Sequence, residues 1–154
     1  MPMGGEETVR LIEAEGGEVR FIQADVSMAT NVEALVKETI AAYGHLDYAH
    51  NNAGIEGILA STVDCPEDCW DQTLAINLKG VWLCMKYEIP EMLKNGGGAI
   101  VNTASVAGLV GFATLPAYVA SKHGIVGLTK CAALEFAKGG VRVNASAPGS
   151  SGRP

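Results

Sequence analysis

Residues 46–54 read Leu-Asp-Tyr-Ala-His-Asn-Asn-Ala-Gly, a short run that ends in two amides and two small residues. We predict that residues 46–51 form a buried β-strand and that Asn51–Gly54 lie where this strand passes into a loop. Small residues at such a point let the backbone approach a flat ligand, and amide side chains can bind its polar edges. An ordinary strand-to-loop turn would use the same residue types, so the stretch predicts a strand end more firmly than a binding site.

Helices and strands are predicted to alternate on either side of this stretch. In chain order the other elements are helix 5–15, strand 19–26, helix 28–43, helix 66–94, strand 99–104, helix 115–137 and strand 141–147. Pro90 should kink or end the regular part of the first long helix, because proline lacks the backbone N–H that continues it. Alternation of this kind is typical of a parallel sheet with helices on both faces. We expect one α/β domain over residues 1–154.

The bulk composition excludes several classes of protein. Hydrophobic residues are 48% of the chain and charged residues 18%, which suits a globular domain with a buried core. The net charge of −6 gives no electrostatic reason to bind nucleic acid or an anionic membrane. No apolar run approaches the roughly 18 residues that cross a bilayer. The N-terminus has neither the basic stretch nor the apolar segment of a signal peptide.

The cysteines indicate a reducing environment and no metal site. Cys65 and Cys69 are four positions apart, but no further pair of cysteines or histidines nearby would complete a metal site. We therefore expect free thiols, which fit a cytoplasmic protein.

Tyr118 and Lys122 are the first candidates for chemistry. They are four residues apart on the predicted helix 115–137 and so share one face of it. A phenol has an ordinary pKa of about 10, and a neighbouring ammonium favours the phenolate. The pair is therefore a suitable device for proton transfer. The same spacing also occurs in helices that carry only an ordinary surface pair.

Two further polar residues stand at positions that chemistry could use. Ser105 follows the predicted strand 99–104, and the carboxyl ends of parallel strands are where α/β proteins build their sites. Its hydroxyl could bind a substrate oxygen or simply cap the next helix. Asn77 lies on the apolar stripe of the first long helix, and a buried asparagine needs partners. It is either a core hydrogen-bonding residue or part of a proton relay.

Taken together, these motifs resemble the classical short-chain dehydrogenase/reductase family. The matching stretches, in the family's order and spacing, are Asp25-Val26, Asn51–Gly54 (NNAG), Asn77–Gly80 (NLKG), Ser105, Tyr118–Lys122 (YVASK), Val143-Asn144 and Pro148-Gly149. The resemblance covers nearly the whole chain. It implies a partial Rossmann fold, which is a doubly wound parallel sheet in a three-layer α/β/α arrangement.

The resemblance also implies an activity and its residues. Hydride would pass between a nicotinamide cofactor, NAD or NADP, and a small secondary alcohol or ketone. Tyr118 would be the acid/base, Lys122 would support its phenolate and bind the nicotinamide ribose, and Ser105 would orient the substrate oxygen. Asn77 would hold a water in a proton relay. The implied cofactor contacts are Asp25, Val26, Asn52, Ala53 and Gly54 on the adenosine half, Tyr118 and Lys122 at the ribose, and Pro148 and Gly149 near the nicotinamide.

The sequence departs from the family pattern at both ends. It contains no G-x-G-x-x-G, the turn that places pyrophosphate at a helix N-terminus, and the opening strand–helix–strand is missing. The C-terminal strand is missing as well. The residue that separates NAD from NADP would end the absent second strand, so both cofactors stay open. The alternative function is that of a truncated, inactive fragment, at most an oligomerisation module.

These departures lead to two structural expectations. The strand 19–26 lacks the two strands that would separate it from strand 46–51, so its edges are left unpaired. It should pair directly with strand 46–51 to give a four-stranded sheet, or else pack loosely. Helices 66–94 and 115–137 should form the surface of a homo-oligomer, to which Trp82, Met85 and Met92 could contribute if they are not core residues.

Overall fold

The computed structural model describes residues 3–149, and residues 1–2 and 150–154 of the predicted domain lie outside the described residues. Its elements, in chain order, are α1 (Met3–Ala14), α2 (Ala29–Tyr43), β1 (Tyr48–Asn51), α3 (Glu67–Leu74), a π-helical turn (Ala75–Lys79), α4 (Gly80–Lys94), β2 (Gly98–Thr103), a 3₁₀ turn (Val106–Gly108), α5 (Pro116–Phe136), a second 3₁₀ turn (Ala137–Gly139) and β3 (Val141–Ser146). All but one of the predicted elements are present, and the sequence predicted most of their bounds to within about two residues.

The strands form a parallel sheet in the order β1-β2-β3. Tyr48 pairs with Ala99 and Asn51 with Asn102, while Gly98 pairs with Val141 and Thr103 with Ser146. A parallel pair needs a long crossover, and here each crossover contains a long helix. The three strands therefore end at the same edge of the sheet, as the α/β prediction requires.

The hydrophobic core lies between this sheet and the helices α4 and α5. Its largest fully buried side chains include Met92 on α4, Ile125 on α5 and Ile100 on β2. α2 packs against α4, with Val32 and Val36 one helical turn apart on its buried face. Ile100, Val141 and Val143 of the strands pack into this core, so the helices hold β2 and β3 in place.

The opposite face of the same sheet is open to solvent in the described residues. Tyr48 is 77% exposed and Val101 38% exposed. Arg142 and Asn144 on β3 also point to this side. Side chains on a strand alternate between faces, so these residues are the counterparts of the buried ones.

The predicted strand 19–26 is absent, and the prediction that it pairs with strand 46–51 is wrong. The segment 17–25 is irregular backbone, although exposed and half-buried side chains alternate along it as in a strand. β1 pairs with β2 alone. A strand needs a neighbour to complete its hydrogen bonds, and the segment has none within residues 3–149. It packs instead through half-buried side chains such as Val26, which contacts Gly80.

Pro90 does not end the first long helix. α4 continues through it to Lys94. Proline costs one backbone hydrogen bond here, but Ile89 and Met92 on either side are buried in the core and hold both turns in place. The regular helix is interrupted earlier, by the π-helical turn at residues 75–79, which contains Asn77. Such turns often mark functional sites.

Two glycine turns lie back to back at the amino edge of the sheet. Gly97 has a φ of +133°, and a Cβ added there would lie 2.5 Å from the carbonyl oxygen of Gly140. That oxygen also accepts the Gly98 N–H at 3.2 Å. Only glycine allows both the backbone conformation and the approach, so the turn sets the register of β2 against β3.

Candidate active site

The carboxyl ends of the strands bring the predicted site residues to one edge. β1 leads into Asn52–Gly54 and β2 into Ser105. The loop after β3 is held beside them, because the Pro148 carbonyl accepts the Val106 N–H at 3.0 Å. Residues that are far apart in sequence thus share the position at which α/β proteins bind ligands.

A cavity of about 540 Å³ opens at this edge. It is lined by Asn52, Gly54, Ile55, Glu56, Thr103, Ala104, Ser105, Val106, Ala107, Phe112, Leu115, Tyr118, Lys122, Pro148 and Gly149. The volume is in the range of sites for small ligands. Polar groups line its floor, whereas Val106, Phe112 and Leu115 form an apolar wall.

Lys122 is fixed at the floor of this cavity. Its Nζ donates a 2.8 Å hydrogen bond to the carbonyl oxygen of Thr103, and it lies 5.5 Å from the centroid of the Tyr118 ring. The side chain is buried, and this burial lowers the pKa of the Lys122 ammonium. α5 begins at Pro116, whose fixed φ suits a first helical position, so the pair lies in the first two turns of a helix anchored on the sheet.

Ser105 is buried, lines the same cavity as Lys122 and caps the 3₁₀ turn that follows it. Its Oγ accepts the Ala107 N–H at 3.1 Å. The serine thus caps a short turn within the loop, whereas the next predicted helix, α5, begins after Leu115 without a side-chain cap. Because a hydroxyl has one donor and two acceptor sites, the cap leaves the proton free to bond an oxygen in the cavity.

Asn77 joins the loop after β1 to α5. Its Oδ1 accepts the Ile55 N–H at 2.8 Å, and its Nδ2 donates to the Ile55 carbonyl at 2.8 Å and to Ser121 Oγ at 3.1 Å. Ser121 in turn donates to the Tyr118 carbonyl at 2.7 Å. Asn77 is fully buried, and both its N–H donors are used. Asn77 therefore makes the hydrogen bonds of a core residue, and one lone pair on Oδ1 remains for a further partner.

Asn51–Gly54 divides between the core and two cavities. Asn51 is buried and borders the smaller cavity, and Asn52 and Gly54 line the cavity at the strand ends. A Cβ at Gly54 would lie 3.2 Å from Asn77 Oδ1, so a larger residue would press on that side chain. Ala53 lines a second, mostly apolar cavity of about 270 Å³, which adjoins the first at Asn52.

Asp25 and Val26 do not reach the larger cavity. Asp25 Oδ1 accepts bonds from the backbone and hydroxyl of Ser27, which lower the pKa of this carboxyl. Val26 lines the smaller cavity. These two residues therefore stand apart from Tyr118, Ser105 and the loop after β3.

Sequence reasoning missed three contributors to the site. The Thr103 carbonyl holds Lys122, Ser121 links Asn77 to α5, and the buried Glu88 bonds Asn51. A main-chain carbonyl leaves no signal in a sequence. Ser121 lies inside YVASK, and Glu88 is an acidic residue on an otherwise apolar helical face, so both carried a signal that could have been used.

Within residues 3–149 the structure offers no metal site, since no group of three or more histidine, cysteine or acidic side chains converges there. All four cysteines are free thiols. No helix of this part of the chain is both long enough and apolar enough to cross a bilayer.

The fold and the strand-end cavity together define a Rossmann-like α/β protein with a Tyr–Lys pair in its cleft. The sequence model of the short chain dehydrogenase family matches residues 2–152. The chain therefore belongs to the short-chain dehydrogenase family, and the resemblance stated from the motifs is confirmed.

Named relatives agree with this membership. Cyclohexanol dehydrogenase of Acinetobacter sp. (strain SE19) is 43% identical over 144 residues, which cover 94% of this chain and 57% of that protein. The 3-oxoacyl-(acyl-carrier-protein) reductase of Staphylococcus aureus (strain Mu50) is 44% identical over 146 residues, 94% of this chain and 58% of the relative. The chain thus spans somewhat more than half the length of the curated relatives it matches.

Solved structures show the same fold. Levodione reductase superposes with a TM-score of 0.91 at 40% identity, covering 96% of this chain and 57% of that one. NAD+-bound xylitol dehydrogenase superposes with a TM-score of 0.96 at 34% identity. The match covers all of this chain and 59% of the xylitol dehydrogenase chain.

Proposed function

We propose that this chain carries the proton-transfer half of an NAD(P)-dependent oxidoreductase that moves a hydride between a nicotinamide cofactor and a secondary alcohol or ketone. The observation that carries the proposal is that Tyr118, Lys122 and Ser105 line one cavity at the carboxyl ends of the strands. Relatives named as dehydrogenases and reductases support the same reaction class.

The proton chemistry is assigned to Tyr118. In the oxidative direction its phenolate takes the proton of the substrate hydroxyl, and in the reductive direction its phenol returns it. The Lys122 ammonium, held by the Thr103 carbonyl near the Tyr118 ring, stabilises the phenolate. The cofactor, when bound, supplies the hydride donor or acceptor.

Ser105 and Asn77 are assigned positioning roles. Ser105 directs its free hydroxyl proton at the substrate oxygen while its Oγ stays bonded to the Ala107 N–H. Asn77 keeps the loop after β1 against α5 through Ile55 and Ser121. The remaining lone pair on its Oδ1 is the acceptor for a relay water.

The donor set fits the nicotinamide end of the cofactor. A cavity of about 540 Å³ with an ammonium, a phenol and a serine hydroxyl suits a ribose and its base. Pro148 and Gly149 border it on one side and Asn52 and Gly54 on the other. Val26 and Ala53 line the smaller cavity, and together with Asp25, the residue before Val26, they are assigned to the adenosine half. The sequence contains no G-x-G-x-x-G, so pyrophosphate binding is not assigned to any residue.

Titration of the purified chain with NADH and with NADPH, followed by cofactor fluorescence, tests the proposal. We expect micromolar binding of one of the two and oxidation of a panel of apolar secondary alcohols. Tyr118→Phe should lower turnover by about 10²- to 10⁴-fold and change cofactor affinity only a few-fold. Tyr43→Phe, at an exposed site on α2, is the matched control. Absence of binding at millimolar concentrations of both cofactors would refute the proposal.

An oligomerisation module is the second candidate, and one surface favours it. Trp82 on α4 is 44% exposed and lies beside Leu74, Leu78 and Leu128 in a shallow apolar depression between the two long helices. Met85 and Met92 do not belong to this surface, because both are buried in the core. The depression is assigned to a homo-oligomer contact, as apolar patches of this kind mark association sites.

Light scattering on the purified chain tests the oligomer. Trp82→Ala and Leu128→Lys should each shift the mass toward that of a monomer, whereas Leu134→Ala, a change of an 84% exposed leucine further along α5, should not. A wild-type chain that is monomeric at high micromolar concentration would rule this candidate out.

The free thiols are the basis for assigning the protein to the cytoplasm.

A further inference from the structure

A row of buried polar side chains crosses the molecule beneath the strand ends. Asn51 Nδ2 donates to Glu88 Oε2 at 3.1 Å and to Asn102 Oδ1 at 3.0 Å. Asn102 Nδ2 donates to Thr129 Oγ1 at 3.0 Å. The row therefore joins α4, β1, β2 and α5 in one hydrogen-bonded line, and all four residues are at most 9% exposed.

Glu88 is an unusual end for this row. It is the only buried carboxyl of residues 3–149, and no lysine or arginine of that range pairs with it. A buried carboxyl without a cationic partner is costly to a fold, so it is kept at a site only if its bonds matter. The other titratable groups around its cavity are Cys84 on α4 and Tyr48 and His50 on β1. Burial raises the pKa of Glu88 to about 7.

Both inner members of the row precede the backbone that builds the candidate active site. Asn51 is followed by Asn52–Gly54, which border the cavities. Asn102 is followed by Thr103, whose carbonyl oxygen binds the Lys122 ammonium. A shift of either asparagine would move the backbone of the residue that follows it, which belongs to the site. Neither asparagine side chain lines the larger cavity.

We propose that Glu88 is a positioning residue, whose carboxyl holds Asn51 and, through Asn102, sets the strand ends on which Asn52–Gly54 and the Lys122 anchor depend. This inference rests on the proposed function. Glu88 touches neither Tyr118 nor Ser105, so it acts on the reaction only through the backbone of β1 and β2. A side chain that merely fills space in the core would stabilise α4 without controlling the order of these two strand ends.

Hydrogen exchange on the full chain, read by mass spectrometry, separates these two roles. Glu88→Leu removes the acceptor but keeps the volume, and should speed exchange at residues 52–55 and 103–106 by at least about fivefold relative to the core of α5. Glu88→Gln keeps an acceptor for Asn51 and should retain the wild-type exchange of pH 6, where the Glu88 carboxyl is mostly protonated and as uncharged as the amide. Glu91→Gln, at a half-buried, ion-paired glutamate on the same helix, is the matched control.

Equal acceleration over the whole chain, or a change confined to residues 84–92, would overturn the inference. If Glu88→Leu fails to fold, Glu88→Gln still decides it. Wild-type exchange at residues 52–54 should differ between pH 6 and pH 8 beyond the intrinsic chemical effect of pH, and this excess should vanish in Glu88→Gln. Persistence of the excess in Glu88→Gln would refute the role of the carboxyl.

Cofactor titration distinguishes failure of this inference from failure of the proposed function. If the wild-type chain binds NADH, Glu88→Leu should weaken binding by about tenfold and Glu88→Gln by less than about twofold. Unchanged affinity in Glu88→Leu would count against the positioning role. If the wild-type chain binds neither cofactor, the proposed function fails, and the exchange experiment still reports on the strand ends.

Discussion

Asn77 and Ile55 form a closed pair, in which the asparagine side chain accepts the Ile55 N–H and donates to the Ile55 carbonyl, each at 2.8 Å. One amide thus substitutes for a strand partner along this stretch of loop. The pair holds the chain just after Gly54 against the long helices, so it decides where the loop crosses the mouth of the site.

Replacing Asn77 by alanine should destabilise the protein by about 2 to 4 kcal/mol, because three hydrogen bonds made by a fully buried amide are lost. Urea unfolding measures the free energy. Asn95→Ala, which removes one bond at the exposed end of α4, should cost less than about 1 kcal/mol. Equal losses in the two variants would mean that the Ile55 pair adds little.

Gly97→Ala should destabilise the protein by roughly 2 kcal/mol or more, since the new Cβ would meet the Gly140 carbonyl at a φ that side chains rarely adopt. Gly111→Ala is the matched change, because a Cβ there meets nothing within 4 Å. Thermal unfolding should separate the two clearly. A Gly97→Ala protein as stable as Gly111→Ala would show that the two turns can move apart.

Glu88 should make stability depend on pH. Its pKa in the fold is about 7, above the ordinary value of 4.5, so the folded state holds a proton that the unfolded state has released. The free energy of unfolding should therefore fall as pH rises from about 4.5 to about 7, by on the order of 3 kcal/mol from this group, and then level off. Subtracting the Glu88→Gln curve from the wild-type curve isolates the effect. A flat difference curve would contradict the raised pKa.

Cys84 should be the slowest thiol to react with a disulfide reagent. It is buried, and this burial raises its pKa to about 12, so almost no thiolate forms near neutral pH. Cys131 is exposed and should be modified far sooner. Timed modification at pH 8, followed by peptide mass spectrometry, gives the order. Cys84 reacting before the protein unfolds would imply that α4 opens locally.

The sequence predicted those helices and strands whose residue pattern lies within the element itself. The first long helix was placed by its apolar stripe, and β1 and β2 by short apolar runs before small or polar residues. The segment 19–26 carried an equally good strand pattern and forms none, because its hydrogen bonds require a neighbour that residues 3–149 do not supply. The alternation of residues along a segment indicates which side chains are buried. It does not indicate which strand lies next to the segment, because that depends on the rest of the sheet.

The candidate site was predictable in its side chains and less so in what holds them. Tyr118, Lys122 and Ser105 were found, and they line one cavity. Asp25 and Val26 were carried over from the same resemblance as contacts of the adenosine half; neither lines that cavity, and Val26 lines the smaller one. The support of Lys122 by a carbonyl and the π-helical turn around Asn77 depend on three-dimensional packing, so residue types alone did not reveal them.

The anchor of Lys122 is a main-chain oxygen, and every amino acid that could replace Thr103 would present the same atom. Substitution of Thr103 would therefore leave the acceptor of the Lys122 ammonium unchanged. The apolar wall formed by Val106, Phe112 and Leu115 has no part in this bond and is free to diversify. Substitutions in this wall would change the shape of the cavity and leave the hydrogen bond that anchors Lys122 in place.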